Sequence, residues 1–142
     1  MKNYFAVFSP KIEDYQDVED IVYRHVMLYD KRLLVKELGR DETHPHLNFV
    51  FEAPFKMKAG RRKYMEHSNI HRRLTNIFPT DILKRNPKLL CLKKCHDSER
   101  LVNGYLRKEK SATLIECRGF KYVPNTDPVL LKEVKVLQKK LN

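Results

Sequence analysis

Between positions 44 and 52 the chain alternates in character at every step, and a period of two leaves few folds open to it. His44, His46, Asn48, Val50 and Glu52 fall on one side of an extended chain; Pro45, Leu47, Phe49 and Phe51 fall on the other. The apolar side is expected to face a core. Positions 32–38 also read as a strand, and 39–43 form a short polar turn between the two. Folded back as a hairpin, the two strands bring the Glu37 carboxylate near the polar side that carries His46. Carboxylate, imidazole and side-chain amide converging from neighbouring strands can hold a divalent metal. Glu37, His46 and Asn48 are therefore candidate ligands. Against this stands the ordinary reading of an isolated His-x-His on a half-exposed strand, which is two solvated side chains.

A chain of 142 residues, 42% hydrophobic and 33% charged, is expected to form one soluble domain over 1–142 with a proper core. Its 29 Lys and Arg against 18 Asp and Glu give a net charge of +11. That excess favours a polyanionic partner, nucleic acid or an anionic surface. No apolar run has the length of a membrane-spanning helix and the N-terminus has no signal-peptide pattern, so no membrane partner is expected. Three cysteines without framework spacing point to a reducing, intracellular compartment.

In chain order, Asn3 to Phe8 reads as a strand stopped by Ser9-Pro10, because proline cannot continue a central ladder. Val18, Ile21, Val22, Val26 and Leu28 predict an amphipathic helix over 15–30. The hairpin follows. Positions 57–78 predict a basic helix that Pro79 limits, carrying Lys58, Arg61, Arg62, Lys63, Arg72 and Arg73 beside Tyr64, Met65, Ile70 and Leu74. Positions 88–94 read as a strand. Asp97 or Ser98 is the expected N-cap of a helix reaching Glu109. Positions 113–117 predict a last strand. Within 127–142, Leu130, Val134 and Leu137 predict a C-terminal helix over 129–141. The hairpin makes the sheet mainly antiparallel, of about five strands with flanking helices. That is an α+β fold of ferredoxin-like or RRM-like type.

On the helix before the last strand, Tyr105, Lys108 and Glu109 share a face, at spacings of three and four. A phenol is a poor nucleophile until its proton leaves, near pH ~10. A neighbouring ammonium favours the phenolate, and a metal polarises the phosphate it would attack. Alone, Tyr-x-x-Lys is ordinarily an anchored ring beside a solvated charge.

Taken together, these pieces resemble the HUH endonuclease domain of replication initiator proteins from circular single-stranded DNA viruses, the geminiviruses and circoviruses among them. Ala6-Val7-Phe8-Ser9-Pro10 resembles the family's first motif. Glu37 followed by Pro45-His46-Leu47-Asn48 resembles its metal motif, and Tyr105-Leu106-Arg107-Lys108-Glu109 its catalytic tyrosine motif. Ile115 to Phe120 stands where the family has a similar strand and aromatic residue. The resemblance spans about 2–120, with the motifs in the family's order.

The resemblance implies a mechanism. Mn²⁺ or Mg²⁺ held by Glu37 and His46 would polarise a scissile phosphate in single-stranded DNA at a stem-loop origin. Tyr105 would attack it, leaving a 5′-phosphotyrosine and a free 3′-OH that primes rolling-circle replication. Lys108 would position or neutralise charge, and Glu109 would support the metal or Lys108. The covalent link also permits rejoining. A homo-oligomer, a helicase domain beyond this chain and, for a eukaryotic virus, a nuclear location would follow. No Gly-x-x-x-x-Gly-Lys-Ser/Thr phosphate loop occurs here.

Where many members have a second histidine, this chain has Asn48, a neutral donor, and His44 is an alternative. At about 3.3 Å per residue, His44 and Asn48 are about 13 Å apart, too far to share one ion. The site then uses His46 with one or the other, and the Pro-His-Leu match favours Asn48. His67 and His71 sit among arginines and read as part of a basic face, not a zinc pair. Cys91, Cys95 and His96 lack the second half of a zinc site. The basic stretch through Arg73 is expected to contact phosphates. Two other readings fit the same residues. One is a non-catalytic nucleic-acid-binding module of RRM-like fold; the other is a transposase or relaxase of the wider HUH group.

Overall fold

A computed structural model describes residues 3–38, 44–53, 63–95, 101–102 and 112–122, the side chains of 63–66 excepted. Five strands form one sheet: β1 (Asn3–Phe8), β2 (Arg32–Glu37), β3 (His46–Glu52), β4 (Leu90–Cys95) and β5 (Thr113–Arg118). Their spatial order is β4-β1-β3-β2-β5, and every neighbouring pair is antiparallel. The helices are α1 (Tyr15–Val26), α2 (Lys63–Thr75) and α3 (Thr80–Arg85). The fold is α+β. Its first four strands have the split β-α-β-β-α-β order of ferredoxin-like domains, with β5 added along the outer edge of β2.

The alternation of β3 decides how the layers stack. Leu47, Phe49 and Phe51 meet Tyr4, Ala6 and Phe8 of β1 on one face of the sheet, and Leu34 of β2 joins them. Val18, Val22 and Val26 of α1, Ile70 and Leu74 of α2 and Ile82 of α3 close that face into the main core. Each such side chain, removed from water, contributes about 1.5–3 kcal/mol before chain entropy is set against it. All three helices lie on this side.

The other face of β3 differs from the solvated side that polarity alone suggests. Asn48 and Val50 are 1% and 0% exposed. Phe5, Leu33, Val35 and Val50 form a second apolar cluster with Val102, Ala112 and Tyr122. Its cover comes from residues more than fifty positions away, which the local pattern cannot report.

Three boundaries move for identifiable reasons. α1 stops at Val26 instead of reaching 30, and the chain turns through Leu28 N–H to His25 C=O and Tyr29 N–H to Val26 C=O bonds. The turn drives Tyr29 into the core, edge-on to Phe49 and Phe51 with centroids 5.2 and 5.0 Å away. The long basic helix ends at Thr75, and a separate α3, absent from the expectation, begins after Pro79. Pro79 stands extended (φ −60°, ψ 151°) as the N-cap of α3, so the residue that stops one helix starts the next. β4 begins at Leu90 and extends to Cys95. Leu101 and Val102 are helical, as expected within 97–109; the rest of that helix and the C-terminal helix lie outside the described residues.

Candidate functional site

The hairpin register sets Glu37 directly opposite His46 and Val35 opposite Asn48. On β2, Leu33 and Val35 belong to the second cluster, so Glu37, two positions on, shares its face. On β3, His46 and Asn48 take that same face by alternation with Leu47 and Phe49. Candidate carboxylate, imidazole and amide thus lie together at one end of the second face.

Glu37 Oε2 and His46 Nε2 are 2.7 Å apart, a short hydrogen bond that becomes an ion pair when the ring is protonated. Glu37 is 4% exposed. A carboxylate that deeply covered needs a partner of this kind, because burying it alone is costly. The ring's Nδ1 lies 3.4 Å from the His44 carbonyl oxygen. Both of these neighbours are acceptors, and a neutral imidazole carries one N–H to offer them.

Asn48 completes the set differently. Its Nδ2 is buried and has no hydrogen-bond partner among the described residues. Leaving a buried amide unpaired costs about 1–3 kcal/mol, so the position is poor if its only role is packing. A half-turn of the amide puts Oδ1 where Nδ2 stands, and the two atoms are interchangeable by shape. An imidazole nitrogen, a carboxylate oxygen and an amide oxygen form a donor set that suits Mg²⁺ or Mn²⁺. The residues present fit such an ion. Among the described residues no group of three or more His, Cys, Asp or Glu side chains could hold a metal; here the third donor is an amide.

The alternative ligand stands elsewhere. His44 precedes the strand, is exposed, and its backbone N–H donates to the Leu38 carbonyl. Tyr105, Lys108 and Glu109 lie outside the described residues. The described residues that flank them, Val102 and Ala112, are both buried on the face that holds Glu37 and Asn48.

The basic residues are placed differently. Lys58, Arg61 and Arg62 lie outside the described residues, as does the side chain of Lys63. Arg72 and Arg73 are exposed on α2, which packs against the opposite side of the sheet. The structure does not bring them to the candidate site. His67, on the same helix, is bonded through Nε2 to the Leu92 carbonyl of β4 at 2.9 Å, which gives it a structural task.

One polar centre had no sequence signal. Asp14 accepts from both Arg85 (Nη2 at 2.9 Å, Nε at 3.3 Å) and from Asn86 Nδ2 at 2.9 Å, across more than seventy positions. The bonds from Arg85 and then Asn86 hold its carboxyl below the ordinary value. Asn86 Oδ1 also accepts from the Lys11 backbone N–H at 2.8 Å. The network ties the entrance of α1 to the exit of α3. Beside it lies an open cleft of about 250 Å³, lined by Asp17, Asp20, Arg24, Asp81 and Arg85. Its charges are partly paired with each other, as in the 3.5 Å Arg85–Asp81 contact, and it is on the helix side of the sheet.

No protein-family model and no curated protein matches the chain. Among the described residues no helix is long and apolar enough to cross a membrane.

Proposed function

We propose that the chain is a metal-dependent endonuclease and ligase for single-stranded DNA, of the HUH type, which nicks an origin through Tyr105. The observation that carries this reading is the 2.7 Å Glu37–His46 pair on the same sheet face as the buried Asn48 Nδ2, which has no hydrogen-bond partner among the described residues.

Glu37, His46 and Asn48 would hold Mn²⁺ or Mg²⁺, and the bound ion would supply positive charge against the non-bridging oxygens of the scissile phosphate. Tyr105 Oη forms a bond to phosphorus while the bond from phosphorus to the 3′-oxygen breaks. The phenolic proton ends on that 3′-oxygen, giving a free 3′-OH and a 5′-phosphotyrosine. Lys108 would stabilise the phenolate and the charge on the phosphoryl group. Attack by a 3′-OH on the phosphotyrosine reverses the sequence and joins the strand.

The test is cleavage of labelled single-stranded oligonucleotides with hairpin origins, with Mn²⁺, Mg²⁺ or EDTA. Wild type should nick only with metal. His46→Ala and Tyr105→Phe should each lower the rate by at least about 100-fold, the scale on which single catalytic groups act. DNA binding without nicking in every metal would leave the non-catalytic module in its place.

A further inference from the structure

A sheet whose neighbouring strands are all paired still ends in two edges, and each edge turns half of its strand's peptide groups towards any other chain. Among the described residues the edges are β4 and β5. The ladder fixes which of their peptide groups point outward.

On the β4 side, the Ser9 N–H donates to the Leu89 carbonyl at 2.8 Å, one step beyond the Phe8–Leu90 pair. Bonded pairs alternate along an antiparallel ladder, so Val7–Cys91, Phe5–Lys93 and Asn3–Cys95 are the pairs that exchange bonds. Leu90, Leu92 and Lys94 therefore turn their peptide groups away from β1. In the middle of that outer row, the Leu92 carbonyl accepts a hydrogen bond from His67 Nε2 at 2.9 Å. The ring comes from α2, whose Ile70 and Leu74 share the main core with Leu92. Lys93 and Lys94, exposed on the same strand, add charge to the rim.

On the β5 side, the Glu52 N–H donates to the Lys31 carbonyl at 3.3 Å, one step beyond Arg32–Phe51. Leu33 and Val35 thus bond β3, whereas Arg32 and Leu34 bond their β5 partners, Arg118 and Glu116. Cys117, between those two, faces its peptide group outward. Its N–H donates to Glu116 Oε1 at 3.0 Å. A bulge interrupts the same edge, since Glu116 stands opposite Leu34 and Leu114 opposite Val35.

Both caps are made against an easier alternative. Glu116 Oε1 lies 3.8 Å from Arg32 Nε, beyond hydrogen-bond length. Arg32 is 8% exposed, and its Nε is buried without a hydrogen-bond partner among the described residues. A carboxylate that served only the guanidinium would close that gap with two parallel bonds, the geometry arginine favours. Glu116 is drawn instead to a peptide group on the rim. An exposed imidazole is satisfied by water, yet His67 reaches an edge carbonyl 25 positions along the chain.

We propose that His67 and Glu116 are locks on the two sheet edges, each holding shut a strand along which a second copy of this chain would add its own edge strand. An incoming strand needs the Leu92 carbonyl on β4, or the Cys117 N–H on β5, for its ladder, and the cap has taken that group. The matching partner is the same six-residue strand of another copy, met antiparallel about a two-fold axis. The locks stand whether or not the chain cuts DNA.

Sedimentation velocity over a concentration series tests each edge. His67→Ala should associate, its weight-average mass rising towards twice that of the wild type. His67→Gln, whose amide N–H can donate to the same carbonyl, should sediment as wild type. At β5 the ion pair is removed from both arms: Arg32→Leu keeps the cap and should sediment as wild type, while Arg32→Leu with Glu116→Ala should associate. Arg85→Gln weakens the fold away from both edges and should not associate, which separates uncapping from simple loss of stability. In associated His67→Ala the Leu92 N–H enters a new ladder, and its hydrogen exchange should slow by about 10-fold relative to the dilute monomer. Wild-type sedimentation of an uncapped variant overturns the lock on that edge. Association of His67→Gln, or no slowing at Leu92, overturns the β4 lock, and association of Arg32→Leu alone overturns the β5 lock. Equal association of Arg85→Gln overturns both.

Discussion

Replacing Asn48 by leucine should make the metal-free protein more stable and remove its response to metal. Asn48 is 1% exposed, between Val7 and Val35 on the neighbouring strands, and its Nδ2 has no partner among the described residues. The unpaired amide costs about 1–3 kcal/mol, and leucine is close to it in size. Some of that gain is given back to local repacking, which leaves a net stabilisation of about 1–2 kcal/mol. For a chain of this length about 4 °C in Tm corresponds to each kcal/mol, so Tm in EDTA should rise by about 4–8 °C. Metal should act in the opposite sense. At a concentration of Mn²⁺ a hundred times Kd, a specific site adds about 2.7 kcal/mol to the wild type, and the leucine variant should gain little. Thermal unfolding followed by circular dichroism, with EDTA and then with a Mn²⁺ titration, measures both effects. A variant that melts several degrees below wild type in EDTA would instead mean that the amide is satisfied and structural.

Other consequences follow from the packing and the ionisable groups. Gly119 has φ +83°, and a Cβ there would stand 2.5 Å from Lys31 Cγ and 3.4 Å from Lys31 Cα. Gly119→Ala should cost about 1–2 kcal/mol in urea unfolding, from the left-handed backbone and the displaced lysine; no loss would show that the turn relaxes freely. Arg85 and Asn86 hold the Asp14 carboxyl below its ordinary value of 3.8, so the stability it contributes is present above that pH and is lost as pH falls below it towards the folded value. Arg85→Gln should therefore be less stable than wild type near neutrality, with the gap narrowing below pH ~4; a gap independent of pH would contradict the assignment. Burial pushes His25 below 6.5. The unfolded chain then takes up a proton that the folded chain resists, and stability falls as pH drops below about 6.5. His25→Gln should flatten that part of the stability curve, by up to about 1.4 kcal/mol per pH unit.

How much was legible in the sequence depended on whether the deciding contacts were local. The hairpin was legible because a period of two fixes the core side, which puts Glu37 near the polar side that carries His46; the direct pairing of the two is set by the register the structure shows. The sheet's antiparallel character followed from the hairpin. The burial of Asn48 was not legible: polarity marks it as solvated, and its cover comes from Val102, Ala112 and Tyr122 far along the chain. α3 was missed because Pro79 signals a stop and equally well a start. The Asp14–Arg85–Asn86 network has no periodic signature at all. The placement of the basic helix was also hidden. Composition counts Arg72 and Arg73 towards a nucleic-acid surface, and only the packing of Ile70 and Leu74 shows which side of the sheet that surface occupies.

The proposed function requires Tyr105 to become covalently linked to DNA during cleavage. The most direct measurement is to incubate it with Mn²⁺ and a panel of stem-loop oligonucleotides, denature in SDS, digest the shifted band and sequence the modified peptide by mass spectrometry. A nucleotide linked through a 5′-phosphate to Tyr105 is expected, absent in EDTA and absent in Tyr105→Phe. A stable adduct on any other residue, or metal-dependent cleavage that leaves no adduct while Tyr105→Phe cuts as fast as wild type, would contradict it.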